Sequence, residues 1–158
     1  MGQYDEVLIT RIRNVLESQK LAVLATEGEE GPYTSIVSFT PGDDLRTLLF
    51  ATSRSTRKFS NLLHSTRVSL LVDDRINRID DFSDAVAVTA LGTARETSGE
   101  EHSRAVERIL DRHPHLKDFI NSPSIAILKV HVRKYVMVSH FQEVREVIFH
   151  EEETDPAL

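Results

Sequence analysis

The sequence predicts a mainly β protein with flanking helices (α+β), in which six or seven antiparallel strands form a barrel. Two observations support this fold class. Most strand-like segments follow one another across short polar turns, which is the pattern of antiparallel neighbours. The helix-like segments are few and lie between groups of strands, so they flank a sheet rather than alternate with its strands. With 40% hydrophobic and 28% charged residues among 158, the chain has the composition of a protein with a core.

The first predicted element is a helix over residues 4–18. Tyr4, Leu8, Ile12 and Val15 recur at helical spacing, and the charged residues lie mostly off that stripe. The segment lacks the apolar stretch of a secretory leader. We therefore expect a helix that packs on the barrel, in a cytoplasmic protein.

An antiparallel meander is predicted to follow the helix. Its strands are expected at 21–26, 33–40 and 45–52, where β-branched and aromatic residues are frequent. The polar segment 27–32 joins the first two strands, and Pro41-Gly42-Asp43-Asp44 joins the second to the third. Proline presets φ and glycine accepts a positive φ, so the second segment is typical of a tight turn.

The rest of the chain is predicted to complete the barrel. Ser53, Ser55 and Thr56 precede a helical segment at 57–64, as residues that cap a helix do. Gly92 interrupts a strand and indicates a bulge or a close approach of another backbone. The other expected elements are strands at 67–73, 85–96, 125–132, 134–140 and 144–149, a polar loop at 74–84, and a helical segment at 98–121 that breaks at Pro114. We expect one domain over residues 1–150 and a flexible acidic tail over 151–158.

Composition excludes several classes of function. The chain has no cysteine, which excludes disulfides, thiol catalysis and cysteine-based metal sites. Its 19 Lys and Arg against 25 Asp and Glu give a formal net charge of −6, which does not suit general binding to nucleic acid or an anionic membrane. No segment approaches the ~20 apolar residues of a membrane span. We therefore expect neither nucleic acid nor a membrane as a partner.

The charge distribution predicts an anion site. Residues 45–72 contain no Asp or Glu, and their cations are densest in 52–58, where a predicted strand ends and a helix begins. The cations of this acid-free window are Arg46, Arg54, Arg57, Lys58 and Arg67. Backbone N–H groups and the helix dipole favour a phosphate at a helix N-terminus, and hydroxyl, Arg and Lys side chains add donors and charge. A capped helix with a solvated basic face is the alternative interpretation.

Other candidates for chemistry are weaker. His113 and His115 lie in the predicted helix break, where we expect exposed capping side chains rather than metal ligands, and no metal site is predicted. His140, at a strand end, is the histidine that remains a site candidate. Phe82 stands among aspartates and is expected to anchor its loop on the barrel, or to belong to a lid.

The segment from residue 50 to residue 71, FATSRSTRKFSNLLHSTRVSLL, resembles the FMN-binding region of the pyridoxamine 5′-phosphate oxidase-like split barrels. In that family a strand ends in Thr, Arg-Lys opens a helix, and an Asn and a strand of the type P-R-V-S-L follow. Here Thr66 replaces the proline. The segments PYTSIV (32–37) and AVTALGTA (87–94) match in the same order, so the resemblance spans roughly residues 5–140. It implies a split β-barrel.

The resemblance also implies a homodimer that binds FMN at the interface between its subunits. By position, two cations would hold the FMN phosphate: Arg57 and Lys58. Three hydroxyl side chains would donate hydrogen bonds to it: Thr52, Ser53 and Thr56. One strand segment would run along the isoalloxazine ring, mostly through backbone groups: Ser35, Ile36 and Val37.

The chain departs from the biosynthetic oxidase of this family. That enzyme ends in a Trp- and Arg-containing segment that grips pyridoxal phosphate, and the present chain has no Trp. The prediction is therefore an FMN-binding protein, a flavin-dependent oxidoreductase of unknown substrate with no side chain assigned as acid or base. The alternatives are a non-catalytic flavin carrier or sensor, and a relative that binds haem or the deazaflavin F420. His140 is the candidate axial ligand in the haem alternative.

Overall fold

A computed structural model describes residues 5–150, which form seven strands and five short or medium helices around a closed antiparallel sheet. The strands are β1 Leu21–Gly28, β2 Gly31–Pro41, β3 Thr47–Ser53, β4 Arg67–Asp73, β5 Ala87–Glu96, β6 Ile125–Ser139 and β7 Glu143–Ile148. The helices are α1 Glu6–Ser18, α2 Arg57–His64, α3 Asp81–Asp84, α4 Gly99–Arg112 and α5 Lys117–Ile120, with a 3-10 turn at Pro114–Leu116.

The sheet closes into a six-stranded barrel. Its strand order is β3-β2-β1-β4-β5-β6-β7, and a second edge pairing of β6 with β3 joins the two ends. Strand β7 continues the sheet beyond β6. Every pairing is antiparallel, from the β1–β2 hairpin to the β6–β7 hairpin. The predicted fold class, an α+β protein with an antiparallel barrel of six to seven strands, is confirmed.

The interior of the barrel is filled by alternate residues of the strands. In β4, Val68, Leu70 and Val72 are buried and alternate with the outward-facing Ser69, Leu71 and Asp73, as predicted. Helix α1 closes the barrel with Leu8, Ile12 and Leu16, and the carboxylate of Asp5 caps its first N–H groups. The start of the predicted helix at Tyr4 lies outside the described residues, as does the predicted tail at 151–158.

Strand β6 is continuous, so the prediction of two strands separated at Arg133 was wrong. The change in pattern that suggested a break is a change of partner. Residues up to His131 pair with β3, and residues from Lys134 pair with β7. Along the edge that pairs with β5, β6 contains a bulge. Leu91 of β5 lies opposite Lys134, whereas the next residue, Gly92, lies opposite Val132. Arg133 is the extra residue, and the expected bulge at Gly92 is present.

Two further expectations about side chains were wrong. His113 does end α4, but its side chain is only 2% exposed, because its Nε2–H donates to the carbonyl oxygen of Phe39 at 2.8 Å. Burial lowers the pKa of His113. Phe82 does not pack on the barrel: it is 71% exposed, and its ring centroid lies 6.4 Å from that of Phe141. The loop around Phe82 also contains the short helix α3.

None of the helices within residues 5–150 has the length and apolar character needed to cross a membrane.

Candidate functional site

A cleft opens where β2 and β3 separate. The two strands pair only from Phe39↔Phe50 to Pro41↔Leu48. Beyond Phe39, β2 continues with β1 as its partner, and beyond Phe50, β3 continues with β6. The space between the diverging strands has a volume of about 270 Å³. This opening interrupts the barrel wall and gives a ligand access to two strand edges.

The cleft brings together six of the eight predicted site residues. They are Ile36, Val37, Thr52, Ser53, Thr56 and Lys58. Side chains that the sequence analysis did not select form the opposite wall: Ile109 of α4, Leu116 of the 3-10 turn and Phe119 of α5. These helices pack on the outside of β3 and β6 through a second apolar cluster. Their part in the cleft depends on that long-range packing, and no local signal in the sequence indicates it.

The hydroxyl groups at the start of α2 are fixed by one another. Thr56 caps the helix, since its Oγ1 accepts the N–H of Phe59 at 3.3 Å and donates to the carbonyl oxygen of Ser53 at 2.9 Å. The Oγ1 atoms of Thr52 and Thr56 are 3.0 Å apart. A buried threonine at the end of β3 is thus joined to the N-terminus of a helix whose dipole favours an anion.

The two predicted phosphate ligands face different clefts. Lys58 lines the cleft between β2 and β3, and within residues 5–150 it has no carboxylate partner. Arg57 lines a separate pocket beside the β1–β2 hairpin, with its Nη1 3.7 Å from Glu30 and its guanidinium 5.5 Å from the ring centroid of Tyr33. Consecutive helical residues point about 100° apart, which separates the two side chains.

Arg54, the other cation of this turn, is held away from the cleft. Its guanidinium forms a hydrogen-bonded ion pair with Glu96 of β5 and lies 5.5 Å from the ring centroid of Phe59. The hydrogen bond to Glu96 raises the pKa of Arg54. Its backbone N–H donates to the carbonyl oxygen of Ser124 at 3.0 Å, which fixes the turn after β3 against the start of β6.

The edge of β2 offers backbone groups to the cleft. The backbone N–H of Phe39 donates to the carbonyl oxygen of Lys20, so the backbone groups of Phe39 face β1. Backbone groups alternate in direction along a strand, so those of Val37 and Ser35 also face β1. The backbone groups of Ser38 and Ile36 therefore face the gap between β2 and β3. Ser35 does not line the cleft, and its buried Oγ has no hydrogen-bond partner among the described residues. Ser38 lines the cleft and was missed, although strand alternation alone could have indicated it.

The cleft opens onto an apolar outer face of the barrel. Five residues form one row in register across β2, β1, β4, β5 and β6: Ile36, Val23, Leu71, Thr89 and Val136. Their chain neighbours, such as Leu24, Leu70 and Val88, fill the barrel interior, so the row lies on the outside. Ile36 is 68% exposed, and it both ends this row and lines the cleft.

His140 lies away from the cleft within one chain. It occupies the β6–β7 turn, where His140, Phe141 and Gln142 have φ values of 45°, 50° and 81°. Its side chain is exposed and lines none of the clefts described above.

Solved structures of low sequence identity share this fold. The heme binding protein from Mycobacterium smegmatis superposes with a TM-score of 0.77 at 22% identity, over 86% of this chain and 55% of that protein. General Stress Protein 26 from Bacillus anthracis superposes with a TM-score of 0.70 at 17% identity, over 90% and 98% of the two chains. A FAD-binding protein from Mesorhizobium loti gives a TM-score of 0.65 at 14% identity, over 81% and 91%.

The family itself is indicated by the sequence match. No curated protein matches the chain. The family model described as pyridoxamine 5′-phosphate oxidase matches residues 8–139, which is most of the 158-residue sequence. The solved structures that share the fold include two proteins described by their relation to general stress protein 26. The chain belongs to the pyridoxamine 5′-phosphate oxidase family, as a relative of the biosynthetic oxidase and not as that enzyme itself.

Proposed function

We propose that the protein binds FMN in the cleft between β2 and β3 and acts as a cytoplasmic flavin-dependent oxidoreductase. The observation that carries the proposal is the convergence of Lys58, the Thr52–Thr56 hydroxyl pair and the free edge of β2 in one cleft. These are the groups that a phosphate at one end of a ligand and a planar ring at the other would need.

The start of α2 suits the phosphate of FMN. Lys58 supplies a charge with no competing carboxylate in residues 5–150, and the helix N-terminus supplies backbone N–H groups. Arg57 can join them, because its contact with Glu30 is solvent-exposed: the two side chains are 60% and 92% exposed. Such a pair contributes only about 0–1 kcal/mol, so a phosphate would compete with Glu30 for the guanidinium.

The other end of the cleft suits a flavin ring. The backbone groups of Ile36 and Ser38 face it and can exchange hydrogen bonds with the polar edge of the ring. Leu116 and Phe119 supply an apolar wall that excludes water. The flavin, when bound, supplies the redox chemistry, and the residues of the chain orient and shield it. No side chain in the cleft is assigned as a catalytic acid or base.

We further propose that a second copy of the chain completes the site. At about 270 Å³ the cleft falls just below the usual ligand-pocket range of roughly 300–1,000 Å³, and it opens beside Ile36 onto the apolar row. A second copy that covers the outer faces of β1, β4 and β5 would bury this row and supply the missing wall. The small side chains of β5 suit the close approach of another backbone. The proposed assembly is a homodimer with FMN at its interface.

Flavin binding by charge variants tests the phosphate assignment. Dissociation constants for FMN and riboflavin would be measured by fluorescence quenching at fixed ionic strength. Losing a charge-assisted hydrogen bond costs roughly 1.5–3 kcal/mol, so Lys58→Ala should weaken FMN binding about tenfold or more. Arg57→Ala should also weaken it, by a smaller factor because Arg57 must first leave Glu30. Riboflavin lacks the phosphate, so its affinity should change little in either variant.

Arg104→Ala is the matched control. Arg104 lies on α4 with its side chain 78% exposed, and its loss changes the net charge by the same amount. If Lys58→Ala and Arg104→Ala bind FMN equally well, the phosphate assignment is wrong. Rapid NAD(P)H oxidation by the FMN-loaded protein would support an oxidoreductase. Reduction by artificial reductants alone would instead indicate a flavin carrier or sensor.

Haem binding is the second candidate. The similarity to a heme binding protein from Mycobacterium smegmatis favours it, and the exposed His140 is the candidate axial ligand. The absorption spectrum of the purified protein distinguishes flavin, deazaflavin and haem. A haem band that His140→Ala abolishes would replace FMN in the proposal.

A further inference from the structure

A second cleft, of about 480 Å³, lies near the other end of β3 and is lined by cations. Its charged and titratable side chains are Arg46, Arg95, His131, Arg133 and His150, and among residues 5–150 no Asp or Glu lines it. Strand β3 separates it from the proposed flavin cleft, and six residue steps along a strand span ~20 Å. The two clefts share no lining residue. We call this second cleft the arginine cleft.

The bulge of β6 forms the floor of the arginine cleft. A Cβ atom on Gly92 would lie 2.0 Å from the carbonyl oxygen of His131, so only glycine allows the backbone of the bulge to come this close to β5. The backbone N–H of Val132 donates to the carbonyl oxygen of Arg46, and the backbone N–H of Phe149 donates to the carbonyl oxygen of Arg133, both at 2.8 Å. The first bond joins the residue before β3 to the bulge, and the second joins the residue after β7 to the bulge. The barrel backbone therefore fixes the cleft, and the bulge redirects Arg133.

The arginines of this cleft have no carboxylate partner within residues 5–150. No ion pair joins Arg46, Arg95 or Arg133 to an acidic side chain there. Acidic residues that neighbour these arginines in sequence or in the β6–β7 hairpin form other contacts within residues 5–150. Asp44 accepts the backbone N–H of Arg46, Glu96 pairs with Arg54, and Glu146 pairs with Lys134. Like charges in one cleft repel one another, and a bound anion would relieve that repulsion.

Arg46 is held in place before any ligand binds. Its guanidinium carbon lies 4.9 Å from the ring centroid of Phe149, and its side chain is half-buried. Stacking on an aromatic ring fixes the plane of the guanidinium while leaving its N–H donors free to bind. A fixed donor loses less conformational entropy when it binds a ligand.

We propose that the arginine cleft binds a multivalent oxyanion, the phosphate or pyrophosphate group of a small molecule. Guanidinium groups match the oxygens of phosphate in paired hydrogen bonds. Three arginines on three different segments supply more charge and more donors than a single carboxylate needs. The site does not depend on the proposed flavin function, since the bulge and its arginines are separate from the β2–β3 cleft.

Titration calorimetry of the full chain with sodium pyrophosphate, at ionic strength held constant with NaCl, tests this proposal. Arg95→Ala and Arg133→Ala each remove one exposed cation from the cleft and should weaken pyrophosphate about tenfold. Arg104→Ala removes the same charge from an exposed position on α4 and should leave the affinity unchanged. Lys58→Ala should also leave it unchanged, because Lys58 lines the other cleft.

Three results would overturn the proposal. They are an unaltered protein that does not bind pyrophosphate, equal weakening in the cleft variants and the Arg104 control, and weakening in Lys58→Ala alone. The last would assign the anion to the proposed flavin cleft. FMN affinity measured on Arg95→Ala keeps the two proposals separate, since it should equal that of the unaltered protein even if pyrophosphate no longer binds.

Discussion

The substitution Tyr135→Phe removes one oxygen atom from the centre of the barrel. Tyr135 is fully buried in β6, and its hydroxyl donates to the carbonyl oxygen of Leu45 at 2.6 Å. Leu45 is itself buried and has a φ of 63°, in the left-handed region that a leucine rarely adopts. The tyrosine therefore fixes the strained end of the turn between β2 and β3, the two strands that bound the proposed flavin cleft.

The cost of this substitution follows from the carbonyl group that it leaves behind. Phenylalanine fills the same space, so no large cavity forms, but the Leu45 carbonyl loses its buried donor. An unsatisfied buried acceptor costs about 1–3 kcal/mol. For a domain of this size each kcal/mol lowers Tm by roughly 2–4 °C, so we expect a fall in Tm of roughly 2–12 °C.

Urea unfolding gives the free energy directly, with the m-value as a check on two-state behaviour. Tyr33→Phe is the matched control, because the Tyr33 ring is part-exposed on β2, and its loss of a hydroxyl should change stability by less than about 0.5 kcal/mol.

Burial raises the pKa of Tyr135, so as the pH rises the unfolded chain loses this proton before the folded chain does. Stability should therefore fall as the pH rises above about 10, and Tyr135→Phe should remove that part of the fall.

A Tyr135→Phe protein within 0.5 kcal/mol of the unaltered protein, with the same m-value, would contradict the assignment. It would mean that the Leu45 carbonyl finds another donor or reaches water when the hydroxyl is removed. The strained turn would then be held by the apolar packing of Leu45 alone.

Three further predictions concern an acidic transition, the bulge and the outer face. Burial lowers the pKa of His113 from its ordinary 6.5, so the unfolded chain binds a proton at this residue before the folded chain does. The free energy of unfolding should therefore fall as the pH drops below about 6.5. Urea titrations of His113→Gln should show a smaller fall. Gly92→Ala places a Cβ 2.0 Å from a backbone oxygen and should cost at least about 2 kcal/mol by the same method. Leu71→Glu puts a charge in the apolar row; light scattering should change from twice the chain mass of 17.9 kDa to that mass, whereas an unaltered protein that is already monomeric would contradict the dimer.

The barrel could be predicted because its strands carry their own local signals. Alternation along β4, and turn residues such as Pro41-Gly42, identify strands and their order without any long-range information. The closing contact between β3 and β6 carries no such signal, because the paired residues lie some eighty positions apart in sequence. Closure was expected from the antiparallel order of strands joined by tight turns and from the family resemblance. The register of the closing pair of strands came only from the structure.

The errors at Arg133 and His113 share a cause. A polar residue in the local pattern indicated a strand break at Arg133 and an exposed side chain at His113, yet tertiary context decided both positions. Arg133 marks the point where β6 exchanges β3 for β7 as its neighbour, and the strand continues through it. His113 turns inward because the Phe39 carbonyl accepts its ring N–H. Strand β3 and Phe39 are both far from these positions in sequence, so the local pattern contains no information about either contact.

The acid-free window shows what composition can and cannot predict about sites. Three of its five cations, Arg54, Arg57 and Arg67, pair with glutamates from outside the window, which a count of charges within it does not reveal. Arg46 and Lys58 have no such partner in the described part of the chain. They flank β3, one just before it and the other after it at the start of α2, so the strand carries them to different clefts. A strand of seven residues spans ~20 Å, farther than one phosphate can reach. Arg46 and Lys58 belong to one acid-free window of the sequence, which therefore predicted a single anion site. In the fold, β3 holds them apart, and the window contributes to two candidate anion sites.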